Sequence, residues 1–199
     1  MLYSRIHSMK DDEAQGIPEF LPGDLVLFKG LSTWTARAIR SCQRRVGESP
    51  SIVNHVGIMI DRENLMEALA RIRRNPLSIY LFNPDYEIYI FRHNGLDEGE
   101  RIRISEWICR QEGRFYAPLK ILAHLGDHLI GKISRGDPRI FRRIIFSERF
   151  FICSELAARA YYEEPGYKFL GMDPQEVTPD DIWDHILASK DWEEVYINK

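Results

Sequence analysis

The sequence predicts an α+β fold, an antiparallel sheet of about four to six strands packed against a helix that bears a cysteine. Three observations lead there. The stretch "NHVGIMI" alternates with period two, so Val56, Ile58 and Ile60 share one face while His55, Gly57 and Met59 share the other. "DREN" then forms a turn, and "LMEAL" leads a second strand back. After Cys153, the residues Leu156, Ala157, Ala160 and Tyr161 recur at helical spacing, which puts the thiol at the start of a helix.

Length and composition bound the answer. A chain of 199 residues suits one domain with a real core. Its 44% hydrophobic and 29% charged residues are those of an ordinary globular protein. A net charge of −3 argues against a nucleic-acid partner, whose binding domains are usually basic. No apolar stretch reaches the roughly 18 residues of a membrane-spanning helix, so no stable membrane insertion is expected. "MLYSRIHSMKDDEAQG" lacks the apolar centre of a signal peptide. Cys42, Cys109 and Cys153 are too few and too scattered for a disulfide framework, and none forms a CxxC pair. A reducing, cytoplasmic setting is expected, with no metal and no other cofactor.

In chain order, residues 1–20 read as a loose polar leader and 21–199 as one domain. Pro22, Gly23 and Asp24 make a turn that feeds a short strand, Leu25–Phe28. "STWTARAIRSCQRRVG" is an amphipathic helix in which Trp34, Ala38 and Cys42 share the core face. The 55–69 hairpin follows, and Pro76 to Phe82 and Glu87 to Phe91 are two further strand candidates. Residues 104–112 look helical, with Cys109 in a packing role. Leu119, Leu122, Leu125, Leu129 and Ile133 form a helical stripe, and the basic segment 132–149 reads as an insertion. Finally "TPDDIWDHIL" starts a helix: Thr178 as cap, Pro179 in the first position, then acids favoured by the helix dipole.

Chemistry concentrates on three side chains. A helix N-terminus beside an imidazolium lowers a thiol pKa to roughly 3.5–7.5, and Cys153 stands at such a start. Its base must come from elsewhere in the chain. Of six histidines, His55 is the best placed, on a strand with an apolar opposite face and with Gly57 leaving room beside it. His7 lies in the leader, His93 follows a strand end, and His124, His128 and His185 fall on helical patterns. No two of them make HExxH, the spacing of zinc hydrolysis.

Glu67 is the third. Opposed residues of a hairpin share a face and have a constant position sum. A three-residue loop at Asp61–Glu63 makes that sum even, which puts Glu67 one diagonal step from His55. A carboxylate framed by Leu65, Met66, Ala68 and Leu69 is costly without a partner. An odd register would separate the two and make Asp24 or Asp61 the next candidates.

Taken in order, "PGDLVLF", "NHVGIMI", Glu67 and "CSEL" at a helix head resemble the NlpC/P60 superfamily of papain-like thiol hydrolases. Ordinary members place the cysteine helix before the GDLV and HVGI strands. Here it comes last, as in the circularly permuted branch that includes YiiX/YaeF-like proteins and the lecithin:retinol acyltransferase-like group. "GRFY" at 113–116 also resembles a G-x-x-Y element of the YiiX-like proteins. The resemblance runs from about Pro22 to Tyr162, and it implies a permuted papain-like fold. It implies Cys153 as nucleophile, His55 as general base and Glu67 as the residue that holds the imidazole. The backbone N–H of Cys153 becomes an oxyanion donor, and Tyr116 a substrate contact.

The enzyme so implied is a cysteine hydrolase that cleaves an amide through an acyl-enzyme, in a cell-wall-type peptide or a related small molecule. One alternative is a lipid acyltransferase or thioesterase of the lecithin:retinol acyltransferase-like branch; another is a non-catalytic ligand-binding module. The cluster of arginines that includes Arg142 and Arg143 points to an anionic peptide or acyl-containing substrate, against the plainer reading of a solvated loop.

Overall fold

The computed structural model describes residues 18–30, 52–69, 71–114 and 153–198. Six strands build one antiparallel sheet: β1 (Leu25–Gly30), β2 (His55–Met59), β3 (Asn64–Ala68), β4 (Ile72–Pro76), β5 (Tyr86–His93) and β6 (Trp192–Asn198). Their spatial order is β4-β3-β2-β1-β5-β6. Four α-helices accompany them among the described residues: α1 (Ser78–Leu81), α2 (Glu98–Cys109), α3 (Cys153–Glu163) and α4 (Pro179–Ala188). The α+β class and the antiparallel sheet are those the sequence predicts.

The sheet opens where Pro22 and Gly23 turn the chain into β1. Asp24 N–H donates to the Leu21 carbonyl at 3.1 Å, with Gly23 at φ 84, a conformation glycine adopts without strain. Asp24 is fully buried and pinned by cations. Arg92 reaches both of its oxygens at 2.9 and 2.7 Å, and Arg101 lies 3.4 Å away. This cluster joins the start of β1 to β5 and α2, elements 68 and 77 residues further along the chain.

The two sheet faces separate as the alternation requires. On one, Leu25, Leu27, Val56, Ile58, Met66 and Phe91 pack with Leu156, Ala157, Ala160 and Tyr161 of α3. On the other, Val26, Phe28, Met59 and Leu65 pack with Leu77, Tyr80 and Leu81. Helix α3 is tied down at both ends. Ser154 Oγ donates to the Val177 carbonyl at 2.7 Å, and Tyr161 Oη donates to the Gly23 carbonyl.

Three elements differ from expectation. The strand expected at Pro76–Phe82 is instead the end of β4 followed by α1. Proline closes the strand, and Leu77, Tyr80 and Leu81 bury one side of a helical turn while Ile79 and Phe82 stay exposed. Helix α2 begins at Glu98 rather than 104, because Asp97 and Glu100 form a reciprocal capping box that starts it early. Strand β6, unforeseen, covers the far edge of β5, where Trp192 lies opposite His93. The helix expected over 32–47 with Cys42, the stripe Leu119–Ile133 and the basic segment 132–149 lie outside the described residues. So do Tyr116, Arg142 and Arg143.

Candidate active site

The site begins with a hairpin. Asp61 Oδ1 accepts from the backbone N–H groups of Glu63 and Asn64, at 2.9 and 2.8 Å, and so sets a three-residue loop. That loop pairs Gly57 with Glu67, Ile58 with Met66 and Met59 with Leu65, the even register. His55 therefore lies one diagonal from Glu67 on the same face, and its Nε2 is 2.6 Å from Glu67 Oε2.

Gly57, directly opposite Glu67, has no room for a side chain. A Cβ there would come within 2.6 Å of Leu65 Cδ1, 3.2 Å of the Met66 carbonyl and 3.5 Å of Glu67 Cβ. The room it leaves is used by the neighbouring strand, not by an element from elsewhere.

Glu67 has no exposed surface. Its Oε1 accepts from Asn75 Nδ2 on β4 and from Tyr80 Oη on α1, while Oε2 faces His55. Burial alone would raise its pKa; the His55, Tyr80 and Asn75 hydrogen bonds outweigh that and hold the carboxyl below its ordinary 4.5. The face is aromatic as well. The Phe28 ring lies 5.3 Å from the imidazole and 4.8 Å from the Tyr80 ring, and Tyr86 lies 5.2 Å from Tyr80.

Cys153 opens α3 and is buried at the mouth of β2. Its sulfur is close enough to the His55 side chain and to the backbone of Val56 and Ser154 for each to act on its charge. With Nε2 engaged by Glu67, Nδ1 is the ring nitrogen left for sulfur. Burial pushes the thiol pKa up, but the adjacent imidazole outweighs it and the net shift is down. Burial likewise pulls His55 down, and the Cys153 sulfur followed by Glu67 reverses this, raising it to about 10. The arrangement favours a thiolate–imidazolium pair, a nucleophile and a proton donor side by side.

The structure thus brings Cys153, His55 and Glu67 together. Asp24 is committed to Arg92 and Arg101, and Asp61 to the turn. His93 and His185 lie in an aromatic cluster with Tyr167 and Trp192. Cys109 is partly buried beside the core, and burial raises its thiol. Sequence reasoning missed Asn75 and Tyr80. The position sum that pairs Glu67 with Arg73 puts Asn75 on the same face, but only once β4 is known to pair with β3.

No family model matches the chain, and no curated protein matches it. Among solved structures, it is similar to the metalloprotein YiiX of Escherichia coli O157:H7. The TM-score is 0.57 and the identity 14%, over 92% of this chain and 99% of that one. Its fold is YiiX-like. At that identity the likeness concerns architecture alone.

YiiX is described as a metalloprotein. Among the described residues no group of three or more His, Cys, Asp or Glu could hold a metal ion. Glu67 spends both oxygens on His55, Asn75 and Tyr80. The donor set at this site does not fit a metal.

Among the described residues, no helix is long and apolar enough to cross a membrane.

Proposed function

We propose that this chain is a papain-like cysteine hydrolase, with a permuted NlpC/P60 architecture, that cleaves an amide bond in a small peptide or related molecule. The observation that carries the reading is the series Cys153, His55, Glu67, with His55 hydrogen-bonded to Glu67, its ring beside the sulfur, and the thiol at the first position of α3.

The chemistry follows from those positions. The Cys153 thiolate adds to the substrate carbonyl, and negative charge develops on its oxygen. The backbone N–H of Cys153, at the positive end of α3, is the donor for that oxyanion. Collapse of the tetrahedral intermediate breaks the C–N bond, and the His55 imidazolium gives its proton to the departing amine. A water then adds to the thioester. Neutral His55 takes the water proton, the C–S bond breaks, and the carboxylic acid leaves as the thiolate–imidazolium pair is restored. Glu67 keeps the ring oriented and stabilises its charged form throughout.

The test is covalent labelling by two electrophilic probes, one with a peptide-amide recognition element and one with a lipid ester. Wild type should take up the amide probe at Cys153, and Cys153→Ala should not. Labelling by the lipid ester alone would move the assignment to acyl transfer. No labelling of wild type by either would leave a binding module.

A further inference from the structure

We infer that Tyr80 and Asn75 are positioning residues for the Cys153–His55 pair, acting through Glu67; the inference rests on the hydrolase reading above.

A glutamate carboxylate turns easily about its last torsion, which is broad and roughly two-fold. One contact to His55 would leave it free to rotate. Tyr80 Oη and Asn75 Nδ2 both donate to Oε1, so Oε2 is directed at His55 Nε2. Both donors are themselves held. Tyr80 sits between the rings of Phe28 and Tyr86, at 4.8 and 5.2 Å. Asn75 is buried on β4, where the pairing of Leu65 with Asn75 fixes its height on the sheet.

Helix α1 is only four residues long and has no side-chain cap. It is anchored from outside, by Leu77 N–H donating to the Glu63 carbonyl and by Asn198 Nδ2 donating to the Leu81 carbonyl. The hairpin loop and the C-terminal strand therefore both bear on where the Tyr80 hydroxyl points.

Two neutral donors also serve a charge that has no exposure to water. Hydrogen bonds to the ionised form favour it, and each removed donor makes a buried carboxylate harder to keep. A less anionic or rotated Glu67 supports the imidazolium less well, and the imidazolium is what holds the thiolate. The plainer alternative is that Tyr80 and Asn75 merely satisfy a buried carboxylate. In that case their loss would lower stability without touching the thiol.

The experiment is the rate of Cys153 alkylation by iodoacetamide across pH, in full-length wild type, Tyr80→Phe and Asn75→Val, with thermal melting alongside. Wild type should show two steps: one where the thiolate appears, the other near the His55 value of about 10, where the imidazolium is lost. In each variant the first step should rise and the second fall, and alkylation in the acid range should slow roughly 10-fold for each pH unit by which the first step rises. If folded variants keep both steps in place, the inference fails while the hydrolase reading stands. If wild type itself has no low step, both fall. Should Asn75→Val not fold, Tyr80→Phe, which removes one oxygen, decides alone.

Discussion

Gly57 and Glu67 face each other directly across the β2–β3 hairpin, and His55, one diagonal step away, puts its Nε2 2.6 Å from the carboxylate. Two strands and a turn thus bring two of the three reactive groups together, and Asn75 of β4 and Tyr80 of α1 hold the carboxylate from behind. The third, Cys153, arrives from α3.

Gly57→Val should put two methyl groups on the face shared by His55 and Glu67. The added Cβ already crowds the Met66 carbonyl, which as backbone moves less readily than the Leu65 side-chain tip. A loss of about 1–3 kcal/mol in urea denaturation is expected, together with slower alkylation of Cys153 at acid pH. Unchanged alkylation in a folded variant would mean the diagonal contact does not depend on that glycine.

Glu67→Gln should lower His55 from about 10 and raise the Cys153 thiol, since the anion opposite the ring is gone. By comparison with removal of the carboxylate from other triads, hydrolysis should fall by up to about 10⁴-fold. The acid stability profile should change too. A carboxyl held below its ordinary 4.5 contributes stability above that pH and loses it as pH falls through the folded value. The variant should lack that component, a difference visible in denaturant midpoints taken down to about pH 3.

Cys153 and Cys109 should part company under alkylation mapped by mass spectrometry near neutral pH. Burial raises Cys109, whereas the His55 partner brings Cys153 down against the same tendency. Cys153 should therefore be modified first by a wide margin. Equal labelling of the two would remove the basis for a thiolate at the head of α3.

Asp24→Ala should cost about 3–5 kcal/mol, because it strands the partly buried guanidinium groups of Arg92 and Arg101. Both steps of Cys153 alkylation should stay where they are in the folded variant, since neither cation touches the thiol, the imidazole or Glu67. A shift in either step would show that this ion cluster is coupled to the site.

His93 should make the fold acid-sensitive. Its Nδ1 accepts from Gly95 N–H at 3.1 Å, its Nε2 has no hydrogen-bond partner among the described residues, and it packs edge-on against Tyr167 and Trp192. Burial lowers its pKa against the opposing pull of Asp191, and Arg101 lowers it further. The unfolded chain therefore binds this proton first. The stability carried by the neutral ring is complete above the ordinary 6.5 and is lost as pH falls toward the folded value. One proton can contribute at most about 1.4 kcal/mol per pH unit. His55, raised rather than lowered, acts in the opposite sense, so wild type must be compared with His93→Phe between about pH 7.5 and 5.5. A smaller loss in the variant is the expected result; identical slopes would clear His93.

The sequence by itself determined what depends on neighbours along the chain. Period-two alternation placed His55 on one face of β2, a three-residue loop set the even register that puts Glu67 beside it, and helical spacing after residue 153 put the thiol at a helix start. Thr178 and Pro179 announced α4 in the same local way, and the structure shows the capping box there. The tertiary structure alone decided what depends on contacts between distant segments. That β1 lies between β2 and β5, that β6 returns to close the far edge, and that Asp24 meets Arg92 and Arg101 follow from pairings dozens of residues apart. No periodicity records such pairings. Asn75 and Tyr80 belong to that second group. Each looks ordinary within "IRRNPLSIYLF", because what gives it a role is the buried charge of Glu67, brought to it by the β3–β4 pairing and by the fold of α1 back over the sheet.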